Sequence, residues 1–586
     1  MIAQSSTVAD TTARGQSSTG ELSTLEIDWP TWPATGVPIT RQEWGEPKPR
    51  RSLARSAGIV AGAFVLSRAL GLLREIIIAR QFGTSEALSA YVSAFRIPDL
   101  LFLVIMAGAF GSAFIPVFSG FLGDGEEESA WNLASVVLNI SGIVVVILSA
   151  AVWLTAPQLV EWIVAPNASP TAQEITTNCM RILLLSPIFL GFGIAAKGIL
   201  EGQELFTLPA FAPVIYNGAT IAGALLLGPI YGVYGVTVGV VAGAIGFLLV
   251  QIPGLVRSRM RYRPIFNLRT VGLAEVARLL GPRLIGQAAF QINFIAVTNL
   301  AWRTGEQSVS ALNYAWQLLM LPHGILALSV STVILPTLSR FWQAGDVPAF
   351  RQTFIGALKP LVFLSLPAAV MLFAFRVPIV QSLFQTGAFS AESTSLVAVP
   401  LAFLAAGLVS YALVEALTRA FYAMHDTRTP VITGIAIIAI NIALGWFLLD
   451  RMGYVALALA LSASTTIEAV VLVLMLERRL GGVGASFGGW LASVLAATAL
   501  TGIAAAILAP VAIEASAPGS APRLIQLAVV SLTLLVVGLV YLGSAWILHV
   551  PELTLLIEKL TRRLPGIRPS LVASQPPPGT DYDEVG

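Results

Sequence analysis

The chain has 586 residues, of which 56% are hydrophobic and only 11% charged, with a formal net charge of +2. That balance excludes an ordinary soluble domain and the basic surface that nucleic-acid binding requires. A single cysteine, Cys179, excludes an intrachain disulfide, and with three histidines in the whole chain a metal centre is not expected.

Residues 1–54 are rich in Ser, Thr, Pro and charge and hold no apolar run after an early basic region, so they read as a disordered cytoplasmic tail rather than a cleaved leader. Apolar runs then recur near 56–80, 91–119, 131–156, 176–197, 209–228, 232–256, 275–300, 310–338, 352–375, 394–420, 430–449, 454–477, 487–512 and 523–548. Each is long enough to cross a bilayer, which predicts an all-α polytopic membrane protein of about fourteen transmembrane helices. Short breaks such as GPIYG at 228–232 make the flanking helices antiparallel neighbours. The segment RSRMRYRPIFNLR carries Arg257, Arg259, Arg261, Arg263 and Arg269, and ERR at 477–479 and KLTRR at 559–563 are also basic. Arginine-rich short loops stay on the cytoplasmic side, so both termini are expected there.

The chain also echoes itself. FTLPAFAPVIYNG at 206–218 and DTRTPVITGIAIIAIN at 426–441 share a Thr-Pro entrance and an asparagine within the span, and FIPVFS at 114–119 matches ILPTLS at 334–339. The expected organisation is an N-lobe of helices 1–6 over 55–256, a C-lobe of helices 7–12 over 257–480, helices 13–14 over 481–550 and a second cytoplasmic tail over 551–586. Two such lobes around a cavity suit alternating access.

Ionisable residues inside an apolar span need a partner, a wet cavity or the interface. The first helix, SRALGLLREIIIARQFG at 67–83, holds Arg68, Arg74, Glu75 and Arg80. Arg68 and Glu75 share a face, with Arg74 about a third of a turn away. Two readings stay open: the arginines offer positive charge to an anionic head group, or they pair with Glu75 to fix packing. In AFRIPDLL of the second helix, Arg96 and Asp99 flank Pro98 as a local ion pair or a substrate contact. Lys197, Glu201 and Glu204 mark an interfacial end of the fourth helix. The eighth, NYAWQLLMLPHGILALS, carries Asn313, Gln317 and His323, and Pro322-His323-Gly324 predicts a local break. Glu415 and Arg419, four apart, predict an in-helix salt bridge. Glu468 stands alone on the twelfth helix, as a protonated acid, a partner for an arginine or a coupling-ion site. No phosphate-binding lysine loop, dinucleotide fingerprint or nucleophilic constellation is present, so neither an enzyme nor a cofactor is expected.

With SRALGLLREIIIARQFG, AFRIPDLL, AGAFGSAFIPVFS, LPAFAPVIYNG, GPRLIGQAAFQIN, LPHGILALSVSTVILPTLS, SLFQTGAF and AFYAMHDTRTPV in this order, the chain resembles the MurJ/MviN family of the multidrug/oligosaccharidyl-lipid/polysaccharide exporter superfamily over about 55–550. The resemblance implies two six-helix lobes plus a C-terminal helix pair. It also implies flipping of lipid II, the undecaprenyl-pyrophosphate-linked peptidoglycan precursor, from the cytoplasmic to the outer leaflet of the bacterial inner membrane, with cell-wall glycosyltransferases as candidate partners. The family's cavity arginines fall on Arg68 and Arg74, and a guanidinium fork suits phosphate oxygens. Arg96 and Gln317 complete the expected head-group set, with Glu75, Asp99, Glu415, Arg419 and Glu468 as ion-pair or coupling residues. The chain departs from the family pattern at Ser89, Phe102, Leu103, Ala107, Trp316, Gln317 and Met320, where the pattern has ionised residues. A flippase for another polyprenyl-linked saccharide and a non-transporting cell-wall assembly scaffold are the alternative readings.

Overall fold

Within hydrocarbon a backbone N–H or C=O must find its partner inside the protein, and for an apolar run of about 20 residues the helix does this within the segment. The computed structural model describes residues 50–107, 110, 114–258, 260–481 and 486–554, and among these the regular structure is helix, with no strand. Most of both expected tails, with Gly108, Gly111 and Arg259, lies outside the described residues. Of a first unit, Met1–Ala54, only the opening of the first helix is described; the helical bundle is the second unit, Arg55–Gly586.

Helix α1 spans Arg50–Phe82. Helix α2, Glu86–Met106, is interrupted at Phe95 and passes into π-helical turns over Phe102–Ala107. Then come α3 (Glu127–Val164), α4 (Pro170–Gly202), α5 (Thr207–Tyr231) and α6 (Val233–Arg257). After a non-helical link come α7 (Leu273–Trp302), α8 (Ser308–Gln343) and α9 (Val347–Ala374). Helix α10 is a pair, Ala391–Ala406 and Leu408–Ala423, bent by 46°. The series ends with α11 (Arg428–Met452), α12 (Val455–Leu480), α13 (Ser486–Ser516) and α14 (Arg523–Ile547).

Over their described residues all fourteen predicted segments are thus mainly helical, but the number of apolar spans is smaller. Among the described residues eleven helices are long and apolar enough to cross a membrane, or twelve with the bent pair α10 taken as one span. The two long helices outside that group are α1 and α8, of 33 and 36 residues, which carry Arg68, Arg74, Glu75, Arg80, Asn313, Gln317 and His323 of the polar residues singled out above. A second difference concerns α8, which runs unbroken through Pro322 and Pro336 where a break was expected. Neighbouring helices and local adjustments let a membrane helix tolerate the lost hydrogen bond.

Large apolar side chains point outward, with Trp446 61%, Leu524 80% and Trp546 71% exposed, the reverse of a water-facing surface. Between helices, small residues set the spacing, because apolar surfaces gain nothing from leaving lipid and close backbone packing must hold them. A β-carbon on Gly223 of α5 would stand 2.5 Å from the Cα of Gly239 on α6. One on Gly407, at the bend of α10, would stand 2.6 Å from the Ser462 hydroxyl of α12. Helices α13 and α14 pack along each other and against α9, where the Tyr541 hydroxyl donates to the Phe363 carbonyl at 2.6 Å.

The turn between α10 and α11 is organised by Asp426. Its carboxylate accepts from the Arg428 and Thr429 backbone N–H groups at 3.1 and 3.0 Å, from the Thr429 hydroxyl at 2.6 Å, and from the Arg479 guanidinium at 2.7 Å. Burial pushes this carboxyl up, but the Thr429 hydroxyl and amide and the Arg479 charge outweigh it and hold it below its ordinary 3.8. A depressed folded value means the stabilisation is fully present above the unfolded value and is lost as pH falls through the folded one. Asp426→Asn is therefore expected to lower thermal stability by roughly 0.5–1 kcal/mol at neutral pH. The gap between parent and variant should close as a melting series is taken below pH 4.

Candidate functional site

On α1 the two arginines have different surroundings. The Arg74 guanidinium donates to Glu75 through Nε at 3.1 Å and through a terminal nitrogen at 2.7 Å, and its other terminal nitrogen reaches the Asn217 side-chain oxygen on α5 at 3.1 Å. The Asn217 amide in turn donates to the Ser67 and Pro213 carbonyls at 3.3 and 3.0 Å, so its orientation is set from both helices. Glu75 is buried, 7% exposed, and Arg74 neutralises it. Arg68 is exposed, lies over the Phe64 ring at 5.3 Å, and has no ion-pair partner within 4 Å among the described residues. The two readings of the sequence thus divide: Arg74 is paired, Arg68 is not.

Two cavities meet here. The larger, about 520 Å³, is lined by Arg68, Lys197, Glu201 and Asn217 together with Phe64, Phe206 and Pro209. The smaller, about 270 Å³, is lined by Tyr91, Arg96, Asp99, Tyr216, Asn313 and Tyr314. Arg74, Glu75 and Gln317 border both and stand between them. In the larger cavity Lys197 is set against Glu201 at 3.7 Å and Arg74 against Glu75 at 2.7 Å, which leaves the Arg68 charge uncompensated. That space favours an anion.

The other expected residues are spread over several helices. Arg96 turns to α7, donating through Nε to the Thr298 hydroxyl at 2.7 Å with its guanidinium over the Phe294 ring at 5.3 Å. It makes no ion pair within 4 Å with Asp99, because the hydroxyl and ring of α7 take the guanidinium instead; both residues nonetheless border the smaller cavity. Glu415 and Arg419 form the in-helix bridge at 2.8 Å, and His323 of α8 reaches the other Glu415 oxygen at 3.4 Å. That contact ties α8 to α10 and was not anticipated. Glu468 is half-buried near Gly434 of α11 and pairs with no arginine among the described residues. Trp316 packs edge-on against Phe294 and Tyr411, so one of the departing positions has become aromatic packing. Among the described residues no group of three or more His, Cys, Asp or Glu is placed to hold a metal ion.

A seam of neutral groups joins the helices at the Arg80 end of α1. The Thr84 hydroxyl donates to the Gln307 side-chain oxygen at 2.9 Å and lies 2.9 Å from that of Ser393. The Ser89 hydroxyl donates to Ser310 Oγ at 3.1 Å, and the Trp302 indole N–H donates to the Ser93 hydroxyl at 2.9 Å. The Ala388 N–H donates to the Arg80 carbonyl at 2.9 Å, between Gly83 and Gly387, whose φ of 56° and 60° favour glycine. These bonds join the α1–α2 corner to the α7–α8 corner and the start of α10. The sequence carried no signal for them, since Ser and Thr in apolar helices are ordinary packing residues.

Known proteins share this arrangement. The family model described as "Lipid II flippase MurJ" matches residues 78–527. The chain belongs to the MurJ family. The lipid II flippase MurJ of Burkholderia cenocepacia is 30% identical over 506 residues, which cover 85% of this chain and 98% of that protein. The probable lipid II flippase MurJ of Rhizobium meliloti is 30% identical over 438 residues, 72% of this chain and 80% of that one. A solved structure of lipid II flippase MurJ in an inward closed conformation superposes with a TM-score of 0.66 at 25% identity, covering 82% of this chain and 97% of the other. An inward-facing multidrug resistance MATE family transporter of the MOP superfamily superposes with a TM-score of 0.61 at 19% identity over 71% of this chain and 95% of that one, a likeness of fold. In this MurJ-family member the Arg68 guanidinium, without an ion-pair partner among the described residues, and the seam joining the α1–α2 corner to the α7–α8 corner are the features with chemical consequence.

Proposed function

We propose that this MurJ-family protein flips lipid II from the cytoplasmic to the outer leaflet of the bacterial inner membrane by alternating access, with both termini cytoplasmic. The observation that carries this reading is a guanidinium, Arg68, with no ion-pair partner within 4 Å among the described residues, bordering a cavity of about 520 Å³. A pyrophosphate entering that space exchanges water for the Arg68 fork and for the amide of Gln317, and Arg96 waits beyond. The grip has to be moderate, because the same group must leave on the other side.

The moving parts are the lobes 55–256 and 257–480, with the pair 481–550 alongside. Asn217 binds α1 within the first lobe, and Asn441 of α11 donates to Asn293 of α7 at 2.7 Å within the second. The seam between the lobes is all hydroxyl, amide and indole, so opening it separates no ion pair. Glycosyltransferases that polymerise the exported precursor are the expected partners. A second substrate class, another polyprenyl-linked saccharide, is favoured by Gln317, a neutral side chain bordering both cavities where the family pattern is charged.

The test is complementation of a strain depleted of its own lipid II flippase. Growth and normal cell shape are the expected result. A well-expressed, membrane-inserted protein that gives no rescue would remove the lipid II assignment and leave the second substrate class.

A further inference from the structure

The link between α6 and α7 is a strongly basic stretch that borders neither cavity described above. Residues 257–272 contain five arginines and no acid. The described part of this link is ordered without being helical, because it is strapped to one face of α3. The Arg263 N–H donates to the Ser135 hydroxyl at 3.1 Å, and the Asn139 amide donates to the Arg263 and Ile265 carbonyls at 3.3 and 2.9 Å. The Tyr262 hydroxyl donates to the Asn139 side-chain oxygen at 2.8 Å, and the Arg263 guanidinium meets Glu128 at 2.7 Å. Glu128, Asn132, Ser135 and Asn139 recur at helical spacing, so the strap lies along a continuous polar stripe of α3.

Held this way, the strap packs Met260 against the core beside α3 and leaves several of its other described side chains facing outward. Arg257, Arg261 and Arg269 are exposed, with no ion-pair partner within 4 Å among the described residues. Beside them Tyr262 is 53% exposed, Phe266 55% and Leu268 74%. Exposed aromatic and aliphatic groups interleaved with unpaired arginines do not suit water. They suit the headgroup layer, where the ring or methyl enters the acyl boundary and the guanidinium stays with phosphate. The depth agrees, since the strap starts where the apolar span α6 ends at Arg257.

We propose that residues 257–272 form a binding site for anionic phospholipid, with Arg257, Arg261 and Arg269 on the headgroups and Tyr262, Phe266 and Leu268 in the acyl boundary. The site lies on the one covalent connection between residues 55–256 and 257–480. Anionic lipid therefore anchors that connection to the leaflet surface while the helices on either side move.

The full-length protein, labelled with bimane at Pro264→Cys with the buried Cys179 retained, is reconstituted with brominated phosphatidylglycerol or brominated phosphatidylcholine at equal mole fraction. Quenching by the anionic lipid is expected to exceed that by the zwitterionic one at low salt. The preference should fall about fivefold for each of Arg257→Gln, Arg261→Gln and Arg269→Gln. It should weaken in high salt and persist in the triple lysine variant. Equal quenching by both lipids in the parent overturns the site. So does a preference that survives the triple glutamine change, or one lost equally in the lysine variant, which would make the arginines packing groups rather than charges.

Discussion

With Ser89→Cys and Ser310→Cys together, lipid II flipping is expected to stop under oxidation and to resume on reduction. The two hydroxyl oxygens lie 3.1 Å apart and are bonded to each other, so thiols at these positions are within reach of a disulfide with a small adjustment. The native thiol is buried and does not compete. A covalent bond at this point holds the α1–α2 corner against the α7–α8 corner, and the cavity then has no second exit. The loss should be near complete in a lipid II exposure assay on vesicles, and each single cysteine variant should retain activity. Cross-linked protein that still exposes lipid II at the parent's rate would remove the seam as the moving gate.

The two arginines of α1 are expected to separate transport from stability. Arg68→Ala removes a guanidinium that lies over the Phe64 ring and makes no ion pair within 4 Å among the described residues. It should leave the unfolding midpoint nearly unchanged, while flipping falls about 10- to 100-fold, the worth of one charge-assisted contact of roughly 1.5–3 kcal/mol. Arg68→Lys keeps the charge without the fork and should fall between. Arg74→Ala instead strands Glu75 and frees Asn217, and loss of one partner of a buried pair destabilises by about 3 kcal/mol. The double change Arg74→Ala with Glu75→Ala should recover most of that stability, because no buried charge is left. Whether flipping returns with it reads the role of Arg74 directly: full activity in the double variant would make Arg74 structural, and persistent loss would make it a head-group residue. Thermal unfolding in detergent and the vesicle assay together separate these outcomes.

Much of this molecule is legible in its sequence. Apolar runs of bilayer length are helical because lipid offers no other partner for the backbone, and the described residues of the predicted segments are mainly helical. Arg68, Arg74 and Glu75 stand out for a related reason: charge inside a span needs a partner or water, so its presence marks a cavity or a pair. The i, i+4 bridge of Glu415 and Arg419 is equally local and formed as the spacing implies.

Which arginine is free and which is paired was decided elsewhere. Arg74 is held by Asn217, and Arg96 leaves nearby Asp99 for Thr298 and Phe294, because helices distant in the chain bring a hydroxyl or an amide closer than the local acid. The same holds for His323 on Glu415 and for the seam of Thr84, Ser89 and Ser310, whose residues are chemically indistinct from the packing serines around them. Local sequence determines helices and marks charges, since both follow from one segment's exchange with lipid. Pairing and closure belong to the tertiary structure, since they depend on which faces of separate helices meet.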